Sequence, residues 1–169
     1  MSSKADQTAS LRRVDSTLYR RACARFATGI TVVTVVDSGG HPHGLTVNSF
    51  TSVSLAPPLI LICLDHRARV TQFFHPGKHF GINVLNEAQR EISDYFASTK
   101  RDRFNGVEWK PGGTGVPLLP HGLAFFECAV RNKVPAGDHE IVIGEVVEAR
   151  AEEGRPLIYY ASGYRKLES

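Results

Sequence analysis

Ile30-Thr31-Val32-Val33-Thr34-Val35-Val36, then Asp37-Ser38-Gly39-Gly40, then, four residues on, Leu45-Thr46-Val47-Asn48-Ser49-Phe50-Thr51-Ser52-Val53-Ser54-Leu55: two strand-forming runs around a turn-forming cluster read as a β-hairpin. Branched side chains are stiff at χ1 and suit a pleated surface, and the paired glycines permit the reversal. Pro57-Pro58 closes the second run, and Leu59 to Leu64 is apolar on both parities, as in a strand buried on two sides or inside a small barrel. His79 to Leu85 reads as a further strand. Leu123 to Val134 and Glu140 to Ala149 are two long ones separated by Pro135-Ala136-Gly137-Asp138, and Leu157 to Tyr160 adds a short one.

Helices are few. Asp15 is placed to cap a short amphipathic helix whose Leu18, Ala22 and Phe26 recur until Gly29, a stripe expected to seal a sheet. A short helix is expected around Val70 to Phe74. Asn86 with Gln89 resembles a capping box opening a helix through Phe96, with Ile92 and Phe96 on one face. Strands outnumber helices and several are joined by tight turns, so a mainly antiparallel barrel with a few covering helices is favoured over a βαβ fold.

The 169 residues, 42% hydrophobic and 22% charged, suit one domain, expected from residue 15 to 169 behind a polar, aperiodic leader at 1–14. The net charge of +3 is spread along the chain, which gives no ground for a nucleic-acid surface, and a pI near 8.9 is compatible with small acidic ligands. The longest apolar run, Leu59 to Leu64, is far shorter than the roughly 18 residues of a membrane span, and no cleavable apolar leader opens the chain. A soluble cytoplasmic protein is the expectation. Cys23, Cys63 and Cys128 are odd in number and form no CxxC pair, so they read as small buried hydrophobes in a reducing compartment. Residues 98 to about 120, rich in Gly and Pro, are expected to form a long irregular segment of functional or interface type.

Three constellations hold candidate chemistry. From Thr46 to Ser54, six of nine residues carry short hydrogen-bonding side chains, and Phe50 breaks the alternation, so a bulge or bend there would aim donors at a ligand. A planar heteroaromatic ring with a polyol tail needs such neutral donors; a Thr/Ser-rich edge strand facing water is the plainer reading. Asp65-His66-Arg67-Ala68-Arg69-Val70-Thr71 runs from a strand end into a short helix, where amides and guanidinium groups suit a phosphate, or simply make a solvated basic turn. Gly137-Asp138-His139 puts a histidine at a tight turn facing the barrel mouth; adjacent Asp and His are not expected to act as a dyad, and the lack of GxSxG disfavours a hydrolase. His41-Pro42-His43 has a metal-like spacing without a following carboxylate. No GxGxxG follows a strand and no GxxxxGK[ST] is present, so any nicotinamide must bind differently from a Rossmann fold.

In order, Phe26 to Thr34, Gly44 to Ser54, Pro57-Pro58-Leu59, Phe80-Gly81-Ile82-Asn83-Val84-Leu85, Gly137-Asp138-His139 and Tyr159 to Arg165 resemble the short-chain flavin reductases, the NAD(P)H:flavin oxidoreductases that serve two-component flavin-dependent monooxygenases. The resemblance runs from about Leu18 to Lys166. It implies a mainly β, FMN-binding type split β-barrel, a homodimer, FMN or FAD in a surface groove and NADH or NADPH as reductant. It further implies a flavin-dependent oxygenase partner, met transiently or supplied by diffusing reduced flavin. By position, Thr46, Val47, Asn48, Ser49, Thr51 and Ser52 correspond to the strand along the isoalloxazine and ribityl chain. Cys63, Leu64, Asp65, His66, Arg67, Ala68 and Arg69 correspond to the phosphate segment, and Phe80 and Asn83 to nearby walls. His139, the implied catalytic residue, is grouped with Tyr164 and Arg165 on the nicotinamide side. Relatives often offer Ser, Thr or Lys where this chain has Arg67-Ala68-Arg69, which leaves the individual phosphate ligands open. A related amine-oxidising flavoprotein of the pyridoxamine-phosphate type and a non-enzymatic flavin carrier are the rival readings.

Overall fold

The computed structural model describes residues 14–100 and 102–167, so the expected leader at 1–14 lies, but for Val14, outside the described residues. Its elements are α1 (Ser16–Cys23), β1 (Thr28–Gly29), β2 (Thr31–Val36), β3 (Pro42–Val47), β4 (Thr51–Leu55), β5 (Pro58–Asp65), a 3-10 turn (Arg69–Phe73) and β6 (His79–Val84). Then come α2 (Arg90–Ala97), β7 (Lys110–Pro111), β8 (Pro117–Leu118), β9 (Ala124–Ala136), β10 (His139–Ala151), β11 (Ile158–Tyr160) and β12 (Gly163–Arg165).

Seven strands form one sheet in the order β3-β2-β6-β9-β10-β5-β4, every pair antiparallel. Its two edges are consecutive in the chain: β3 ends at Val47 and β4 starts at Thr51. Flat, the sheet would hold those edges about 29 Å apart at the usual strand spacing. The four Cα steps from Val47 to Thr51 reach at most about 14 Å. The sheet therefore curls into a barrel whose split is crossed by Asn48-Ser49-Phe50. The expected hairpin is present as β2 and β3, with Thr31 opposite Val47 and Val36 opposite Pro42. The single long strand expected from Leu45 to Leu55 is instead two strands on opposite edges, because the crossing interrupts it.

Val33, Val35, Ile60, Ile62, Leu64, Phe74, Phe80, Ile82, Cys128 and Val142 fill the barrel. Burial along β5 alternates: Ile60, Ile62 and Leu64 are inside, while Leu59, Leu61 and Cys63 keep partial exposure, so two-sided burial holds only in part. A second core gathers Ile30, Val32, Leu85, Phe96, Phe104, Leu119 and Leu157 beneath α2. The Gly/Pro-rich segment thus contributes Phe104 and Leu119 to its own chain's core and carries the small β7–β8 ladder.

Asp15 caps α1 by accepting from the Leu18 amide at 2.9 Å, but the helix stops at Cys23 rather than near Gly29. None of its residues is buried, and Leu18, Tyr19 and Phe26 face solvent, so the stripe seals no sheet of its own chain. The capping box forms: the Asn86 amide donates to Gln89 Oε1 and the Ala88 amide to Asn86 Oδ1. It sits just ahead of α2, where Phe96 is buried. Cys23 is exposed and Cys63 partly so; only Cys128 is buried, and burial pushes its thiol up to about 12. Among the described residues no helix is long and apolar enough to cross a membrane.

Candidate functional site

At the crossing, backbone pairing between β4 and β5 runs out at Thr51 opposite Leu61. The Ser49 hydroxyl takes over the next rung, accepting from the Cys63 amide at 2.9 Å and donating to the Cys63 carbonyl at 3.1 Å. One side chain thereby holds the chain to β5 while its backbone turns away. Asn48 is left exposed beside it, and Thr51 and Ser52 lie on an exposed edge strand. Thr46, on the other edge, donates to the Ser93 carbonyl of α2 at 2.7 Å, and Val47 is buried.

The segment after β5 is a turn organised by Asp65. Its carboxylate accepts from the Arg67 amide at 2.8 Å and from the Arg67 guanidinium at 2.6 Å, and its carbonyl accepts from the Thr71 hydroxyl at 2.9 Å. The Arg67 side chain beside it holds the Asp65 carboxyl well below the usual carboxylate range. Arg69 has no side-chain partner among the described residues. Leu64 is sealed in the barrel, so it can offer a ligand only its backbone.

Between the start of β3, this turn and the chain after α2 lies a cleft of about 740 Å³ whose wall includes Thr46, Arg67, Ala68 and Arg69. Lys100 and Arg103 line it as well, and among the described residues no Asp or Glu does. These two basic residues lie in the irregular segment and are not among the expected site residues; their only sequence signal is a basic cluster beginning at Lys100.

His139 opens β10 opposite Asp65 of β5, just after the turn in which Gly137 takes φ 67°. Its Nδ1 donates to Asp138 Oδ1 at 2.6 Å, an exposed pair between neighbours in the chain. That contact lowers the Asp138 carboxyl, and the His139 carbonyl accepts from His66 Nε2 at 2.7 Å. Tyr164 sits elsewhere. On β12, in the three-stranded sheet β1-β11-β12, its hydroxyl donates to Asp94 at 2.8 Å and shares a 2.9 Å hydrogen bond with Ser93. Arg165 bonds back to the Tyr164 carbonyl. Tyr164 therefore joins Thr46 through Ser93, whereas His139 joins the Asp65 turn: the expected trio is divided between two places in the chain.

Two expected wall residues are enclosed in the fold. Phe80 has no exposure and packs against Phe74 at a centroid distance of 5.4 Å, inside the barrel. Asn83, equally buried, donates to the Val32 carbonyl at 3.1 Å and accepts from the Leu119 amide at 2.7 Å, which spends its amide on tying β2 to the irregular segment. His41 and His43 converge on the single carboxylate of Asp37, at 3.3 and 2.9 Å, and the His43 contact drives that carboxyl well below its ordinary range.

Residues 23–168 match the model of the flavin reductase like domain, and the chain belongs to that family. A stachydrine N-demethylase reductase subunit of Rhizobium meliloti (strain 1021) is 40% identical over 89% of this chain and 65% of its own length. A flavin reductase (NADPH) of Lentzea aerocolonigenes is 42% identical over 83% of this chain and 84% of its own. Another Rhizobium meliloti relative, 43% identical, is matched over only 48% of its length, so the chain spans less than half of one of these two Rhizobium proteins and just under two thirds of the other. Among solved structures, an NADH:FAD oxidoreductase of Streptomyces globisporus C-1027, in complex with NAD and FAD fragments, superposes with a TM-score of 0.86. It is 37% identical over 91% of this chain and 93% of that one. The fold is the split barrel of the flavin reductases.

Proposed function

We propose that this chain is an NAD(P)H:flavin reductase that reduces free FMN or FAD and releases it to a flavin-dependent oxygenase. The observation that carries this reading is the split of the barrel, where Ser49 fixes the crossing and exposed Asn48 and Thr51 follow Thr46, a wall residue of a basic cleft that no Asp or Glu among the described residues lines. Thr46 to Ser52 would lie along the ring and ribityl chain, Val47 contributing backbone only. Cys63 to Arg69 would face the phosphate, with Arg69 better placed than the Asp65-bound Arg67. His139 would bound the nicotinamide side, and Tyr164 and Arg165 would border the site from β12.

When bound, flavin supplies the redox chemistry, a hydride passing from nicotinamide C4 to N5. The chain needs no nucleophile; it must hold two rings at about 3–3.5 Å and place donors near the N1–O2 edge, where negative charge develops. Ser49 is suited to fixing the crossing, so that its neighbours' amides keep a constant aim. The relatives named as NADPH- and NADH-dependent flavin reductases support the activity, and a monooxygenase reductase subunit of Mycobacterium tuberculosis, 36% identical, supports the oxygenase partner. Residues 15–169 act as one domain. The exposed apolar residues of α1, with Leu55 of the edge strand 91% exposed, support a homodimer in which each barrel is covered by its partner. Unpaired cysteines fit a reducing cytoplasm.

The test crosses riboflavin, FMN and FAD with NADH and NADPH in air and follows nicotinamide oxidation and hydrogen peroxide. The expected result is turnover with free flavin in excess over enzyme and reducing equivalents that cross a dialysis membrane. Turnover that requires an organic amine and ignores NAD(P)H would assign the rival oxidase; reduced flavin that stays wholly bound would remove the oxygenase partner.

A further inference from the structure

We propose that Tyr164 is a positioning residue for the flavin strand: acting through Ser93 of α2, it fixes the hydroxyl of Thr46, the first residue of that strand. The proposal rests on the reading of Thr46 as a ring contact. It also takes Tyr164 away from the reductant's side, where the resemblance groups it with His139.

Proton counting sets the direction of the chain of bonds. The Tyr164 hydroxyl has one proton, and it goes to Asp94 Oδ1 at 2.8 Å, because a carboxylate can only accept. The 2.9 Å contact between the Tyr164 and Ser93 hydroxyls is therefore a bond that Ser93 donates. Burial pushes the Tyr164 phenol up and the Asp94 carboxylate adds to it, against the pull of Ser93, so the phenol keeps its proton at neutral pH. Ser93 carries the chain across α2: its hydroxyl faces β12, while its carbonyl accepts from the Thr46 hydroxyl at 2.7 Å. The Thr46 proton is thereby committed to the helix, which leaves its Oγ1 only lone pairs for a partner in the cleft that Thr46 lines. At the solvent end, Arg90 lies 3.7 Å from Asp94 and 5.1 Å over the Tyr164 ring.

The choice of residues supports a purpose beyond holding the helix. Ser93 has no exposure and sits within α2, where alanine is the better helix former and where a serine hydroxyl commonly bonds back to a carbonyl one turn earlier. Here the hydroxyl leaves the helix for Tyr164. Other contacts already seat α2 on β3: Phe96 packs so closely over Gly44 that a Cβ there would fall 2.8 Å from Phe96 Cε1, and Arg103 Nη1 donates to the Gly44 carbonyl at 2.8 Å. Tyr164 is itself anchored, edge-on to Tyr159 with centroids 5.6 Å apart. What the chain of bonds adds is a fixed hydroxyl on Thr46, just ahead of the crossing at Asn48-Ser49-Phe50.

Fluorescence titration of riboflavin, FMN and FAD against the full chain would compare the wild type with Tyr164→Phe, Ser93→Ala, Thr46→Val and the double variant Tyr164→Phe/Thr46→Val, with KM for NADH and NADPH measured at saturating flavin. Tyr164→Phe and Ser93→Ala should each weaken all three flavins by the same factor, about three- to tenfold, because Thr46 serves the shared ring and not the phosphate. KM for NAD(P)H should stand. In the Thr46→Val background Tyr164→Phe should cost nothing further, since the group it positions is gone, whereas a residue that merely supports the fold would cost the same in both backgrounds. Either single variant decides if the other fails to fold. Unchanged flavin affinity in a folded Tyr164→Phe or Ser93→Ala, equal losses with and without the Thr46 hydroxyl, or a raised KM for NAD(P)H with flavin affinity standing overturns the proposal, the last returning Tyr164 to the reductant's side. A wild-type chain that binds none of the three flavins fails the reductase reading instead. The Thr46 methyl resonance then decides the proposal: a shift in Tyr164→Phe and Ser93→Ala upholds the chain of bonds, and an unmoved resonance overturns it.

Discussion

Asn48 and Asn83 are chemically the same side chain, both expected to face the ligand, and they occupy opposite kinds of place. Asn83 lies inside the fold with donor and acceptor both used, to Val32 and Leu119; Asn48 lies at the barrel's split, exposed. The same contrast separates two charged clusters. Glu127, 2% exposed, accepts from the amides of Gly113 and Thr114 at 2.8 and 2.7 Å and from the Thr114 hydroxyl, and so braces the irregular segment against β9. Arg69 and Lys100 meet no carboxylate among the described residues and line the cleft. A polar group whose hydrogen bonds are all internal holds the fold, and one left unsatisfied at a surface concavity is available to a ligand.

Glu127→Ala should do the most damage to stability, about 3 kcal/mol, because the Gly113 and Thr114 amides and the Thr114 hydroxyl lose their acceptor and the buried carboxylate site is emptied, and urea unfolding would measure it. A change under about 0.5 kcal/mol would mean that the brace is dispensable. Burial alone would raise the Glu127 carboxyl, but the Thr114 hydroxyl, the Thr114 and Gly113 amides and nearby Arg150 outweigh it and bring the group below its ordinary value. A depressed folded-state pKa contributes stability above the unfolded value that is lost as pH falls through the folded one. In the wild type, unfolding midpoints should therefore drop on acidification below about pH 4.3, with a smaller drop in Glu127→Gln.

Asn83→Ala should cost about 2 kcal/mol of stability through its two stranded partners, with folded protein binding flavin as the wild type does. Asn48→Ala should show the converse, near-normal stability and weakened flavin. Exchanged outcomes would break the contrast between the two asparagines. Arg69→Ala should weaken FMN and FAD about tenfold relative to riboflavin, and Arg67→Ala less, since Asp65 already holds that guanidinium; fluorescence titration would rank them. At the reductant's side, His139→Ala is expected to raise KM for NAD(P)H about 2- to 13-fold with flavin affinity nearly intact. An unchanged KM would remove His139 from the reductant's side.

Much of this was legible before any coordinates. The β2–β3 hairpin follows from branched residues around Asp37 to Gly40, where the Asp37 carboxylate accepts the Gly39 and His41 amides and Gly40 takes φ 83°. Asp15 and the Asn86–Gln89 pair announce their helix starts because capping spans only a few residues. The break at Asn48 to Phe50 was visible only as a slip in alternation, since the crossing is imposed by closure of a seven-stranded sheet. Arg103 had no comparable local signal. Its placement depends on carbonyls of Ser98 and Gly44, the latter 59 residues away.

Strand and helix positions, the family blocks and the choice of neutral donors near Asn48 belong to the linear chain, because periodicity, turn chemistry and capping act between near neighbours. Which polar residues became braces and which stayed open was settled by packing: Leu119 and Val32 hold Asn83, Gly113 and Thr114 hold Glu127, and among the described residues nothing comparable covers Asn48 or Arg69. Burial depends on segments brought together from remote parts of the chain. No local pattern records it, and for that reason the division between scaffold and site emerged only from the folded barrel.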